Sequence, residues 1–408
     1  MNDLLNVIYE KFESIPLPSD YLFEERPEEG QYNDKIYEMI RKILQKKLDG
    51  IKNTEALGLS AVLKWLYKQQ LDIGFIQDDL TQVQYFSADN ADHKHFFSGQ
   101  FNPRRIERTK GAGRQITPKG VKTQKIDKEK SDVSCFLCTD NVRWQQRGIQ
   151  LYYHHVVNGN KYNILCNPFP FMPVHMTIAS DEHEPQTWHE FVSTKEDKSG
   201  KIRRITADLY ELSTQLRKGG SNFIGFYNGL GAGATIEKHL HYHFFTIPDG
   251  HPENFPLQRA AQQAIAHQVS DEGIHHLKIE QDFYPLIAFR LYGKKERVIE
   301  TVVNLANQWD RLVGDSASAN IVSLWENETQ VIYFIPRNKF FSRAPGMAGM
   351  IGGCEALGEF IFSTEWENEA INQQKVNYSY MWHILQSVRP PRSNVLAVHV
   401  PEKDTPLD

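Results

Sequence analysis

The sequence predicts an α+β protein: two antiparallel-sheet units with packed helices, the second a degenerate copy of the first, behind a helical N-terminal extension. Three observations predict it. Helix-period apolar spacing dominates the first 80 residues, alternating strand-like runs begin near residue 148, and a strand–helix–strand order recurs from about residue 270.

The extension, residues 1–80, carries DKIYEMIRKILQKKL and SAVLKWLYKQQLDIGFIQ, both with apolar residues at three- and four-residue steps. A first unit then spans 81–270. Within it, residues 108–133 (TKGAGRQITPKGVKTQKIDKEKSD and its flanks) are lysine-rich and nearly devoid of large apolar side chains. Such a stretch buries little surface and is expected as a mobile loop, with a basic flap over an anionic ligand as the functional alternative. GIQLYYHHVV and KYNILCNPFPF flank NGN, a hairpin signal, and VHMTIAS adds a third strand. A helix is expected over 186–217, then strand SNFIGFYNG, the glycine-rich turn GLGAGATIEK and a histidine-bearing strand. The second unit, 271–408, offers DFYPLIAFRLYG as strand, ERVIETVVNLANQWDRLVG as helix, ANIVSLWE and QVIYFIPR as strands, a helix near 350–362 and an extended, proline-punctuated tail.

Composition narrows the function. Of 408 residues, 40% are apolar and 24% charged, the balance of a globular protein. A net charge of −5 argues against a generic nucleic-acid binder. No signal peptide and no run of about 18 apolar residues is visible, so the chain is expected to be cytoplasmic, without a membrane partner. Its four cysteines, at 135, 138, 166 and 354, are then expected as reduced thiols.

EKHLHYHFFTIP places His239, His241 and His243 at alternate positions. Alternate strand residues face one way, so the three are expected to project together. Three unrelated histidines, a three-histidine zinc site of the hydrolytic type, and a nucleophilic histidine with two helpers all fit that spacing. The glycines just ahead favour the last. Glycine lets backbone N–H groups approach an anion closely, and a neutral imidazole aimed at a phosphate can attack phosphorus.

His239-Leu-His241-Tyr-His243-Phe-Phe matches the H-φ-H-φ-H-φ-φ signature of the histidine-triad superfamily. The longer FYNGLGAGATIEKHLHYHFF resembles the nucleotidyltransferase and phosphorylase branch, which includes galactose-1-phosphate uridylyltransferase, diadenosine tetraphosphate phosphorylase and the GDP-hexose phosphorylases. NPFPFMPVHMTIAS resembles that branch's Asn-x-x-Pro…His strand, and VQYFSADN through FNPRRI the segment preceding its catalytic unit. The resemblance covers roughly residues 60–360 and implies two histidine-triad-like units. It also implies a covalent nucleotidyl-His241, with His243 stabilising charge at phosphorus. Asn167, Asn228 and the turn Gly229, Gly231, Gly233 would hold the nucleotide and its phosphates. Transferases of this branch often carry glutamine where this chain has His243. The turn is also one residue longer, which leaves Thr235, Glu237 and Lys238 as alternatives for the phosphate-facing position.

CFLC, Cys135 to Cys138, has the two-residue gap of a zinc clamp and needs two more ligands. The resemblance implies His175 and His239, with the Zn2+ structural, and no organic cofactor. Arg337 and Lys339 in FIPRNKFFSR are expected to return toward the phosphates or to be surface cations. Arg104 and Arg105 share that ambiguity. His154, His155, Cys166 and Cys354 are expected to be structural, and the glycines of GMIGGCEALGEF to serve close packing.

The sequence thus points to a nucleotidyltransferase or phosphorylase acting on a nucleoside diphosphate sugar, GDP-hexose-like, with phosphate or a sugar 1-phosphate as acceptor. A hydrolase of dinucleoside polyphosphates and a nucleotide-binding protein with an idle triad are the alternatives. Dimerisation is common in the family resembled, so a homodimer is implied, although no interface is legible.

Overall fold

The computed structural model describes residues 34–54, 57–72, 75–76, 80–89, 96–106, 135, 137–142, 150–190, 197–252, 254–271, 273–391 and 398–400. The basic stretch 108–133, the first 33 residues and most of the tail lie outside them. Two helices, α1 (Asp34–Lys52) and α2 (Gly58–Asp72), precede strands β1 (Gln84–Asp89) and β2 (Phe96–Phe101). The first unit then supplies β3 (Tyr152–Val157), β4 (Asn160–Cys166), β5 (Met176–Ser180), helix α3 (Lys198–Arg217), β6 (Phe223–Asn228) and β7 (His241–Thr246). The second supplies β8 (Val269–Asp271), β9 (Ile274–Ile279), β10 (Ala288–Gly293), helix α4 (Lys295–Val313), β11 (Ala317–Glu326) and β12 (Thr329–Asn338), and β13 (Glu359–Phe362) follows.

One ten-stranded sheet contains both units, in the order β3-β4-β5-β7-β6-β11-β12-β10-β9-β8. Read from either edge toward the middle, the order is the same: first, second, third, fifth, fourth strand of the unit. In each unit a long helix joins the third strand to the fourth. The duplication expected from element order is therefore present in the topology, with β6 and β11 paired antiparallel at the seam. No histidine triplet recurs on β12, which carries Tyr333, Ile335 and Arg337 instead.

Local chemistry explains the individual elements. The β3–β4 hairpin closes through Asn158 and Gly159, both at positive φ (49° and 83°), the two-residue turn that an Asn-Gly pair favours. Helix α3 starts later than its sequence period suggests, at Lys198, because the Asp197 carboxylate caps it by accepting from the Gly200 N–H at 2.6 Å. The helix expected over 350–362 is one turn, Gly353–Ala356. Gly358, at φ 95°, ends it, and Glu359–Phe362 continues as β13, parallel to β2.

The sheet's two faces bury different cores. Leu209 and Leu212 of α3, Val302 and Trp309 of α4, and Tyr242 and Phe244 of β7 share one. Phe226, Phe245, Tyr333 and Ile335 share the other with Phe97 of β2 and Phe360 of β13. The alternation of β7 therefore turns His241 and His243 away from the long helices, toward the side covered by the three-stranded sheet β1-β2-β13.

Candidate active site

Strand β7 begins at His241, so only His241 and His243 share its face; their ring centroids are 5.0 Å apart. His239 lies in the turn before it, with its side chain fully buried. The expectation that three histidines project together fails because the strand's alternation does not reach back to 239. His239 contributes a different atom. Its carbonyl accepts from the His241 Nδ1–H at 2.7 Å. A carbonyl can only accept, so His241 carries its proton on Nδ1 and its lone pair on Nε2, the tautomer a nucleophile needs.

His241 is also held through its backbone. Register pairs Tyr227 with Tyr242, which sets Asn228 opposite His241. There the Gln186 side chain stands in for a strand partner. Its Oε1 accepts from the His241 N–H at 2.7 Å, and its Nε2 donates to the carbonyls of His241 (2.9 Å) and Asn228 (2.8 Å). Gln186 is fully buried, so each of these bonds satisfies a group that water does not reach. Nothing in local sequence pattern singles Gln186 out.

His243 is half-buried, and its Nδ1 meets His175 Nε2 at 3.1 Å. Phe171 packs against His175 with ring centroids 4.3 Å apart, and Arg105 lies over the Phe171 ring at 4.8 Å while donating to the Phe169 carbonyl at 2.5 Å. Arg105 thus props the loop behind the site, whereas Arg104 is exposed. Asn167 belongs to the same loop: its N–H donates to the His175 carbonyl at 2.9 Å and its Oδ1 accepts from the Phe169 N–H at 2.9 Å.

His175 is consequently not beside the cysteines. The cluster that could hold a metal is Cys135, Cys138, His183 and His239, whose ligand atoms lie within 4.8 Å of one another. Antiparallel pairing explains the correction. Met176 pairs with Phe244 and Ala179 with His241, so the start of β5 lies at the far end of β7, and residues after Ser180 return beside His239.

The donor set suits zinc. His239 Nε2–H donates to the Ser180 carbonyl at 2.8 Å, which leaves the Nδ1 lone pair facing Cys135 Sγ at 3.3 Å and Cys138 Sγ at 3.6 Å. His183 Nδ1 is 3.1 Å from Cys138 Sγ. The hydrogen bond with Cys138 is the largest influence on the Cys135 thiol and, against the opposing effect of burial, brings it down to about 3. Two cysteine sulfurs and two imidazole nitrogens at these separations form a donor set that could hold a metal. Cys166 and Cys354 are buried, and burial pushes both thiols well up, as inert packing residues require.

The glycine turn is closed rather than open. A Cβ on Gly229 would lie 2.4 Å from Ser318 Oγ, on Gly231 2.3 Å from Lys339 Cα, and on Gly233 2.2 Å from Gly352 Cα. Their smallness admits the second unit's chain, and the Gly229 N–H already donates to the Ala319 carbonyl. Three glycines at that spacing serve close approach in either case, so the sequence did not separate a phosphate from a neighbouring backbone. Thr235 is half-buried and Glu237 and Lys238 are exposed.

Arg337 is fully buried, with Nη1 donating to Asn320 Oδ1 (2.7 Å) and the Ile351 carbonyl (3.1 Å), and Nη2 to the Phe341 carbonyl (3.3 Å). Burial, only partly offset by Glu355, lowers its pKa to about 10. It is neither a surface cation nor a phosphate clamp, because the 341–351 segment closes over it. Lys339 is half-buried, its Nζ 5.4 Å from the exposed Phe340 ring.

Residues 66–246 match a family described as a domain of unknown function, DUF4922. No curated protein matches the sequence. The crystal structure of yeast Ap4A phosphorylase in complex with Ap4A is similar, with 13% identity and a TM-score of 0.52, over 81% of this chain and 97% of that one. The same yeast enzyme in complex with AMP gives 14%, 0.51, 81% and 95%. A uridylyltransferase mutant aligns over 55% of this chain and 88% of that one at 15% identity and a TM-score of 0.30, which carries no weight. Among the described residues no helix is long and apolar enough to cross a membrane.

Proposed function

We propose that this chain, whose fold is that of the nucleotidyltransferase and phosphorylase branch of the histidine-triad superfamily, transfers a nucleotidyl group through a covalent intermediate on His241. The observation that carries the reading is the Nδ1–H bond to the His239 carbonyl, which leaves Nε2 as the nucleophile. The Nε2 lone pair forms the N–P bond at the α-phosphorus. The bond from phosphorus to the bridging oxygen breaks, and the departing phosphate takes that electron pair. The His239 carbonyl stabilises the positive charge that the phosphorylated imidazole carries. A phosphate oxygen then attacks phosphorus, the N–P bond breaks, and its pair returns to Nε2, giving a nucleoside diphosphate.

His243 stands one strand repeat away, with its Nδ1 engaged by His175. Its other nitrogen suits a non-bridging phosphoryl oxygen, and Asn228 stands opposite His241 for the same purpose. Cys135, Cys138, His183 and His239 would hold a structural Zn2+, which supplies rigidity. The same residue that enters that cluster presents the carbonyl that sets the nucleophile's tautomer. Domain boundaries near residues 80 and 270 and a homodimer belong to this proposal as well.

The donor we favour is a nucleoside diphosphate sugar of the GDP-hexose type, on the sequence around the glycine turn. A second reading, a dinucleoside polyphosphate, is favoured by the likeness to an enzyme seen with Ap4A. Intact mass after incubation with GDP-, UDP- or ADP-sugars or Ap4A, without phosphate, separates them. The expected result is an adduct of one nucleoside monophosphate, absent from His241→Ala and discharged by phosphate. Free monophosphate accumulating without phosphate would mean hydrolysis. Binding with no adduct from any donor would sink the transferase reading in favour of an idle triad.

A further inference from the structure

The second unit has no histidines of its own at the equivalent strand, yet its polar residues run directly into the catalytic one. Arg337 is a donor without acceptor capacity, so the Asn320 atom it meets at 2.7 Å must be the amide oxygen. That fixes the rest of the Asn320 side chain. Its Nδ2 donates to Asn228 Oδ1 at 2.8 Å and to the Ala232 carbonyl at 2.7 Å, using both N–H groups. Asn228 Oδ1 also accepts from the Gly353 N–H at 2.8 Å, so both its lone pairs are engaged. The Gly353 N–H directly, and the Arg337 guanidinium through Asn320, set the same Asn228 amide orientation. With Oδ1 held, Nδ2 is the Asn228 group left to meet a ligand. It lies over Gly352, where a Cβ would sit 3.2 Å from it.

We infer that Asn320 and Arg337 are positioning residues that fix the Asn228 amide with its N–H donors toward the phosphoryl group attacked by His241. This rests on the nucleotidyl-transfer reading and assigns the second unit a role in it. All the residues concerned are buried (Asn320 and Arg337 fully, Asn228 to 5% exposure), so water does not substitute for a lost partner. If the relay were reversed, Asn228 would present its carbonyl oxygen to an anionic phosphate, a repulsion in place of a hydrogen bond.

Asn320→Asp removes the donor to Asn228 Oδ1 at constant shape and favours that reversal. The carboxylate pairs with Arg337 and can only accept, so its second oxygen repels Asn228 Oδ1 and works against the Gly353 N–H that holds that oxygen in place. The full-length protein is expected to melt lower, because a carboxylate oxygen then faces the Ala232 carbonyl, and below that melting temperature nucleotidylation of His241 by the best donor is expected to slow by about tenfold or more. Asn228→Ala should slow it comparably, and the double variant should be no slower than Asn228→Ala alone. A purely structural role predicts additive losses, and additive losses, or an unchanged rate in Asn320→Asp, would overturn the inference. Should Asn320→Asp not fold, Arg337→Lys (which keeps a donor) is expected to retain the rate and Arg337→Gln (which permits the flip) to lose it; equal rates overturn it. If no donor loads the wild-type protein, nucleotidyl transfer itself is wrong, and calorimetric binding of AMP and GMP decides. Binding weakened about tenfold by Asn320→Asp still supports the relay, whereas equal binding, or none by the wild type, removes it.

Discussion

Gly233 combines a φ of 98° with a backbone neighbour, Gly352 Cα, 2.2 Å from where a Cβ would stand. Gly250 shares the positive φ, at 82°, with nothing within 4 Å. The pair separates strain from contact. Gly250→Ala should cost about 1 kcal/mol, the left-handed backbone alone, while Gly233→Ala should cost roughly 3 kcal/mol or more because two backbones must also part. Urea denaturation of the two variants measures both; similar losses would refute a close-packed turn. A second residue sets a pH dependence. His251 donates from Nδ1 to the Pro252 carbonyl at 3.0 Å and meets Glu359 Oε2 with Nε2 at 3.1 Å. Burial works against its charge, but the Glu359 carboxylate and the Pro252 carbonyl outweigh it and hold His251 above its ordinary value. A folded pKa above the unfolded one means this contribution is complete below about 6.5 and disappears as pH rises through the folded value. Stability should therefore fall over that rise in the wild type, and His251→Gln should flatten the fall. An unchanged pH profile in the variant would mean that the pair does not titrate on unfolding.

At the scale of elements, β5 and β7 decide which histidine can hold a metal. Zinc stoichiometry measured by elemental analysis should be near one for the wild type, fall with His183→Ala and persist in His175→Ala. Chelation should lower the melting temperature of the wild type and leave His183→Ala little changed. Loss of metal in His175→Ala instead would place the ligand where the sequence suggested. That contrast shows what was legible. Asn158-Gly159 dictates its hairpin through two adjacent residues, and the period of KERVIETVVNLANQWDRLV identifies α4 by itself. Cys135 and Cys138 name a clamp by their spacing, and His241 stands out within a seven-residue motif. His183, Gln186 and Asn320 do not, because each acts through antiparallel register or a cross-unit contact, and register depends on where strands begin. The start of β7 at His241 rather than His239 is such a boundary, and it sent His239's side chain to the cysteines.

At the scale of the molecule, the two units share one sheet and both of its cores. Asn228 to Gly225 of β6 pair with Asn320 to Ser323 of β11, and Leu212 of α3 shares a core with Trp309 of α4. Trp188 of the first unit donates to Asp310 of the second at 3.1 Å, and Ser199 to Asn307 at 3.1 Å. Cutting the chain between units would turn β6 into an edge with unpaired backbone groups and expose Phe226 and Tyr227, both buried here. The cost of that exposure couples the halves. Two units with separate cores joined by a few surface contacts would melt separately; units that share both cores are expected to melt together. Scanning calorimetry of the full chain is therefore expected to show a single transition, with calorimetric and van't Hoff enthalpies in agreement. The first unit expressed with the two helices that pack on it, residues 34–268, is expected to aggregate. Two resolved transitions, or a monomeric, folded first unit, would show that the seam is an interface between independent domains. The second unit would then be dispensable for the fold around His241, whereas a single transition makes its loss equivalent to losing that site.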